Sequence, residues 1–235
     1  MNDKAIRPAA YIFDVFGTVV DWRSSVARFA TAFFAARDIT IDGPAFADFW
    51  RGLYVPAMAR IRSGNRGYVP LDQLHFENLL ECLENFGLQS ELTEEECWAL
   101  NAAWENLDPW PDCVPGLHAL KKQAIIAPCS NGSIALMTRL ARYGGLPWDC
   151  ILGAEIAQNY KPEAVVYHAC CNALRLSPDQ VMMVAAHNDD LEAAQAAGLK
   201  TAFIARPTER GPGQSRDLSA TGNWDRVIGS MDQLA

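Results

Sequence analysis

Asp14 ends an apolar run, Tyr-Ile-Phe at 11–13, and is followed by Val15, Phe16 and the tight turn Gly17-Thr18. Ligands of open α/β sheets collect outside the carboxyl ends of the strands, so a carboxylate at such an end is placed to act as a nucleophile. Three later apolar runs also end in polar residues. Ala124–Cys129 leads into Ser130-Asn131-Gly132-Ser133, where backbone amides at a helix start, the Ser130 hydroxyl and the Asn131 amide suit an anion. Ser133 reads equally well as a plain helix cap. A short run near residue 152 leads to Asn159-Tyr160-Lys161-Pro162, with Tyr167 six residues after Lys161. A lysine beside a nucleophilic carboxylate keeps it ionised and oriented, and Pro162 fits the first turn of a following helix. Val181–Ala186 ends in His187-Asn188-Asp189-Asp190. A carboxylate there can act as a base on water, and Asp189 or Asp190 also suits a helix cap.

Bringing four such ends together takes a sheet of parallel strands. Ala9–Phe13 is short, apolar and runs into Gly17, the pattern of a buried strand. From Trp110 onward strands and helices alternate: helix Leu117–Gln123, strand Ala124–Cys129, helix Ile134–Tyr143, strand Ile151–Gly153, helix Glu163–Leu174, strand Val181–Ala186, helix Asp190–Ala197, strand Thr201–Ile204. Such alternation predicts an α/β fold, a Rossmann-like, mainly parallel sheet with right-handed crossovers. The intervening stretch differs in kind. Ser24 or Ser25 is expected to cap a helix running to about Arg37, followed by amphipathic patterns over Pro44–Ser63, Leu71–Phe86 and Thr93–Asn106, the last opened by a Thr93/Glu96 capping box. The expected organisation is a core of residues 1–21 and 110–235 with an inserted helical cap domain of residues 22–109. Residues 1–8 are expected to be loosely ordered, and Arg206–Gly222, rich in Pro, Gly and Arg, to form a long surface loop.

A chain of 235 residues, 50% hydrophobic and 20% charged, buries a sizeable core. Its net charge of −8 disfavours nucleic acid and anionic membrane surfaces, while leaving room for a small anion bound by one or two local cations. A signal-peptide pattern and a membrane-spanning run are both missing, since Ala27–Ala36 is interrupted by Arg28, so a cytoplasmic location is expected. Seven cysteines without any Cys-x-x-Cys fit buried reduced thiols.

In order, Asp-x-x-Gly-Thr, Ser-Asn-Gly, Lys-Pro and the acidic fourth motif resemble the haloacid dehalogenase superfamily over essentially the whole chain. Its magnesium-dependent phosphatases carry a second Asp two residues after the nucleophile and an acidic pair in the fourth motif; here those positions hold Phe16 and Ala186. The chain is more similar to the L-2-haloacid dehalogenases, metal-free and without cofactor, which have an aromatic at the position of Phe16 and a Trp-Arg pair in the cap, matched by Trp50-Arg51. The resemblance implies hydrolysis of small 2-haloalkanoic acids to 2-hydroxyacids and halide through an aspartyl ester, by a homodimer. Asp14 would be the nucleophile, held by Thr18 and Lys161. Arg51 and Asn131 would receive the halide. Amides at Val15 and Phe16 together with Ser130 would cradle the substrate carboxylate, and Thr18, Tyr167 and Asn188 are grouped on the substrate side.

The chain departs from the family in the fourth motif, whose usual Ser and Asn positions fall on Ala185 and His187 while Asp190 is kept. Asp190 and His187 are therefore the candidates for positioning water, and His187 could instead hydrogen-bond a departing halogen. Two rivals stand beside this reading. A magnesium-dependent phosphatase or phosphonate hydrolase of the same superfamily would show turnover of an aryl phosphate that EDTA abolishes. A non-catalytic binding module would release no halide from any haloacid.

Overall fold

In the computed structural model, which describes residues 7–235, the strand Ala10–Phe13 (β1) sends alternate side chains into two separate cores. Tyr11 and Phe13 join the cluster that continues into the inserted helices, whereas Ala10 and Ile12 join one with Val166, Tyr167 and Leu191. A strand buried on both faces needs helices on both sides, the arrangement of a parallel α/β sheet. The expectation for residues 1–8 falls, over 1–6, outside the described residues.

Two short strands, β2 (Val20–Asp21) and β3 (Asp108–Pro109), pair antiparallel as a ribbon where the chain leaves and re-enters the core. The main sheet adds β4 (Ile125–Ser130), β5 (Leu152–Gly153), β6 (Val181–Ala185), β7 (Lys200–Ile204) and β8 (Arg226–Ile228) in the order β5-β4-β1-β6-β7-β8, all pairs parallel. β1 lies between β4 and β6, so Asp14 emerges between the ends that carry Asn131 and His187. This is the α/β sheet expected from the alternating pattern, with β8 as an unanticipated edge strand of three residues.

Between β2 and β3 the described residues form helices α1 (Trp22–Ala35), α2 (Gly43–Gly52), α3 (Tyr54–Arg62), α4 (Leu71–Asn85) and α5 (Glu94–Asn101), then a 3-10 turn over Ala102–Glu105. The cap of α1 is Asp21, which accepts from the Ser24 amide, in place of Ser24 or Ser25. The helix expected over Pro44–Ser63 is broken at Leu53. Pro56 has no N–H for the Gly52 carbonyl and its ring crowds that carbonyl, so the ladder cannot run through, and α3 starts afresh with Pro56 in its first turn. The break leaves Arg51 in the last turn of α2. The Thr93/Glu96 capping box forms as expected.

The core helices are α6 (Cys113–Leu120), α7 (Ile134–Gly144), the single turn α8 (Ala154–Ala157), α9 (Ala164–Leu174) and α10 (Asn188–Ala196). Pro162 stands before α9 and outside its first turn. The segment Arg206–Gly222 has no regular structure, but it is not wholly a surface loop: Arg206 and Glu209 are buried. Arg206 grips Asp112 with both guanidinium arms and donates from Nε to the Thr18 carbonyl, which ties the segment to the turn after β1.

Candidate active site

Asp14 leaves β1 with both carboxylate oxygens already engaged. Oδ1 accepts from Lys161 Nζ at 2.9 Å, and Oδ2 accepts from the Thr18 hydroxyl at 2.7 Å. His187 Nδ1 lies 3.2 Å from Oδ2. Thr18 is itself fixed by the Ala186 amide, which donates to its Oγ1 at 2.8 Å, so the residue that follows β6 sets the hydroxyl that steadies Asp14. Burial alone would raise the Asp14 pKa, but Lys161 and His187 outweigh it and hold the carboxyl far below the usual carboxylate range. A buried carboxylate kept ionised in this way, with little water around it, is chemically suited to nucleophilic attack.

Lys161 bridges two carboxylates, Asp14 and Asp190. Burial opposes its charge, yet the two acids keep it protonated well above the ordinary lysine value. Asp190 also accepts from the Tyr167 hydroxyl at 2.5 Å. Burial raises Asp190 above its ordinary value, with Asp14 adding to the shift against Lys161 and Tyr167. Asn131 is joined to this group through the Lys161 amide, which donates to its Oδ1 at 2.8 Å.

His187 faces a second acid that the motifs did not announce. Its Nε2 lies 2.9 Å from Glu209 Oε2, and Glu209 Oε1 accepts from Trp22 Nε1 at 2.9 Å. Burial would lower the imidazole, but Glu209 and Asp14 push it up to about 10. Burial would raise Glu209, yet His187, Arg210 and the Trp22 bond bring it down to about 2. An imidazole between two buried carboxylates has one ring nitrogen held by Glu209 and the other aimed at Asp14.

A cavity of about 300 Å³ opens over Asp14, with Phe16, Asn131, Lys161, His187 and Asp190 on the core side and Arg51, Tyr54, Met58 and Arg62 on the cap side. Arg51 lies flat on Tyr54, 3.8 Å from the ring centroid, with Trp22 at 5.3 Å and Phe16 at 5.7 Å. Its Nη1 is buried and has no protein acceptor. A desolvated guanidinium N–H left unpaired is an anion site in waiting, because the missing partner costs about 1–3 kcal/mol until something accepts from it. Arg62 reaches across to the Lys161 carbonyl at 3.2 Å.

The donor set at Asp14 does not fit a divalent cation. Two cationic groups already address its oxygens, and Phe16 occupies the second position, edge-on to Trp104 with centroids 5.9 Å apart.

Asp14, Phe16, Arg51, Asn131, Lys161, His187 and Asp190 meet around one cavity. Three residues grouped on the substrate side do not. Asn188 turns outward at the start of α10: its amide nitrogen donates to Asp217 at 2.9 Å and its oxygen accepts from Trp224 Nε1 at 3.0 Å, pinning the C-terminal segment. Tyr167 stands behind Asp190, and Thr18 beneath Asp14; both are fully buried and act on a carboxylate. Val15 and Ser130 are fully buried too, and the Ser130 hydroxyl accepts from the Gly132 amide at 3.1 Å. Glu209, Arg210, Tyr54 and Arg62 were not anticipated. Tyr54 opens α3 three residues after Arg51, and the continuous helix expected over Pro44–Ser63 would also have put the two on one face; the loop residues Glu209 and Arg210 carry no periodic signal.

This arrangement agrees with three comparisons. Residues 8–198 match the family described as haloacid dehalogenase-like hydrolase, and the chain belongs to that family. It is 30% identical over 201 residues to (S)-2-haloacid dehalogenase 1 of Pseudomonas sp. (strain CBS-3), covering 84% of each chain. Among solved structures it is similar to the defluorinating L-2-haloacid dehalogenase Rha0230, with a TM-score of 0.95 and 46% identity over 97% of this chain and 93% of that one. The L-2-haloacid dehalogenase PA0810 also superposes, with a TM-score of 0.91 and 46% identity over 97% of both chains.

Proposed function

We propose that the protein hydrolyses short 2-haloalkanoic acids to 2-hydroxyacids, with Asp14 as the nucleophile and Arg51 as the receiver of the halide. The observation that carries this reading is the pairing of a buried, ionised Asp14 with an unpartnered Arg51 N–H on the wall of one cavity. A displacement at carbon needs a carboxylate on one side and an anion acceptor on the other.

Oδ1 has one donor and Oδ2 has two, which favours Oδ1 as the attacking oxygen. Its electron pair forms a bond to C2 as the carbon–halogen bond breaks, with inversion at C2, and the halide leaves toward Arg51 and Asn131. The alkylated Asp14 is neutral. His187 then loses one of the two acids that hold its proton, its pKa falls, and the imidazole backed by Glu209 becomes able to take a proton from water. Water attacks the Asp14 carbonyl carbon as His187 takes its proton, the acyl–oxygen bond breaks, and the hydroxyacid departs with the oxygen that came from Asp14 and the proton returned from His187. Asp190 is less suited to the base role because Lys161 and Tyr167 already hold its two oxygens. It positions Lys161 instead.

A single turnover in heavy-oxygen water with enzyme in excess tests the scheme: label should enter Asp14 and be missing from the product. Label found directly in the hydroxyacid refutes the ester. Asp14→Asn should stay folded and release no halide from chloroacetate. The resemblance also implies a cytoplasmic homodimer; sedimentation equilibrium tests the dimer. Among the described residues no helix is long and apolar enough to cross a membrane.

A further inference from the structure

A second cavity, of about 420 Å³, reaches Arg51 without touching Asp14, Lys161 or Asn131. Arg51, Arg210 and Arg216 stand in the wall shared by the two cavities, while Trp22, Asp48 and Gly52 line the second alone. Its one lining carboxylate, Asp48, is taken by Arg23, which donates from Nε and Nη2 at 2.7 Å each. The three guanidiniums are therefore short of anions. Arg51 Nη1 and Arg210 Nε are both buried without an acceptor, Arg210 comes no nearer than 3.8 Å to Glu209, and Arg216 stands 3.9 Å from Asp217. Burial lowers the Arg210 pKa, and Arg216 and Arg51 press in the same direction against Glu209. Like charges gathered at low solvation persist at least cost where an anion passes between them.

We propose that this cavity is a halide-release vestibule, through which the displaced halide moves from Arg51 past Arg210 and Arg216 to solvent. This rests on the haloacid reading given above. Displacement at C2 sends the halide away from Asp14, and the new ester then stands between Arg51 and the nucleophile, across the first cavity. The second cavity continues from the shared arginines toward Trp22 and Gly52, which do not line the first. A halide is a small monovalent anion that three N–H forks can hand on by exchange of partners, with no carboxylate in the wall free to repel it.

Gly52 provides a test that leaves the charges in place. It is the last residue of α2, it lines the second cavity and not the first, and a Cβ built there meets no heavy atom within 4 Å. Gly52→Leu should fill the passage. In a single turnover of chloroacetate, followed by intact-protein mass for the ester and by a dye for free chloride, ester formation should stay within about twofold of wild type while free chloride appears about tenfold more slowly. Separately, line broadening of the chloride nuclear resonance by substrate-free enzyme should fall about tenfold in Arg210→Gln/Arg216→Gln, since a lined cleft concentrates counter-ions by that order or more. Chloride release that keeps pace with the ester in Gly52→Leu overturns the proposal, as does a rise in KM alone, which would assign the cavity to substrate entry. Unchanged broadening in the arginine variant also overturns it. A wild type that forms no ester from any haloacid, yet broadens chloride through these arginines, refutes the dehalogenase reading and the release role together, and identifies an anion site of another kind.

Discussion

Glu209→Gln should separate the two halves of the reaction. Glu209 is buried, its pKa is held down to about 2, and its Oε2 lies 2.9 Å from His187 Nε2, so at neutral pH the substitution deletes a full charge in contact with the imidazole. Two unit charges at 2.9 Å interact by about 6 kcal/mol at an effective dielectric near 20. Glutamine keeps an oxygen for Trp22 Nε1 and turns an N–H₂ toward His187 Nε2. That donor forces the ring proton onto Nδ1, the nitrogen that must accept from water. Charge and tautomer therefore change together, and general-base help, worth about a hundred- to ten-thousandfold, should be lost from ester hydrolysis. Alkylation uses Asp14, whose contacts with Lys161 and Thr18 are untouched, and should stay within about tenfold of wild type.

The assay is rapid quench with intact-protein mass detection on chloroacetate. Wild type should show little ester at steady state, and Glu209→Gln should accumulate a stoichiometric carboxymethyl adduct on Asp14. The pH profile supplies a second reading. With Asp14 ionised, His187 keeps its proton up to about 10; once Asp14 is alkylated that support is gone, so hydrolysis of the ester should rise with pH as the imidazole deprotonates. No adduct in Glu209→Gln, but an adduct in Asp190→Asn, would move the base to Asp190 and refute the role given to His187.

Arg51→Lys should lower the rate of ester formation by about a hundred- to a thousandfold, because a point charge on a flexible stem cannot keep the fork that lies flat on Tyr54; single-turnover rates check it. Tyr167→Phe should cost about 1–3 kcal/mol in urea unfolding, since it leaves a buried Asp190 oxygen without its donor. His75 is buried with both ring nitrogens unpaired, and burial, then the Arg51 charge, hold its pKa well below the ordinary 6.5. The unfolded chain then binds the extra proton. Stability from this residue is full above about pH 6.5 and falls by about 1.4 kcal/mol per unit as the pH drops below it. In His75→Phe that component of the slope should vanish, and a slope equal to wild type would refute it.

The α/β sheet was legible because burial on both faces leaves an unmistakable mark: Ala10–Phe13 and Val181–Ala185 are short continuous apolar runs, each ending in a polar residue that the sheet order then brings side by side. Asp14 and Asp190 could be marked in the sequence for the same reason, since strand ends are where a parallel sheet gathers its chemistry; Lys161, which lies beyond β5 and past α8, drew its weight from the order of the four motifs. Glu209 could not. It reaches Trp22 across 187 positions from a segment with no period, and only the anchoring of Arg206 on Asp112 and the Thr18 carbonyl brings it in. Asn188 misled because it lies between His187 and Asp190, while a helix start rotates neighbours by about a hundred degrees each and turned its amide to the C-terminal segment. The split of the helix over Pro44–Ser63 was in principle readable, as Gly52 and Pro56 stand four apart, the spacing at which proline removes the bond to that carbonyl.

The same geometry explains how a hydrolase fold widely tied to phosphoryl chemistry can be turned toward carbon. A divalent cation beside the nucleophile would draw phosphate oxygens into the site and need oxygen ligands at the second position and in the fourth motif. Here those positions are Phe16 and Ala186, and the charge on Asp14 is balanced by Lys161 and His187, which donate N–H bonds and bind no substrate oxygen through a shared ion. Phe16 also packs edge-on against Trp104 and forms part of the aromatic floor under Arg51. One residue therefore withholds a cation ligand and builds part of the wall that desolvates Arg51. Restoring an acid with Phe16→Asp alone should consequently abolish dehalogenation without creating a phosphatase: the wall is lost, Lys161 and His187 still occupy the carboxylate, and aryl phosphate turnover with added magnesium should remain at background. Phosphatase activity in that single variant would show that the two cations do not govern what the nucleophile attacks.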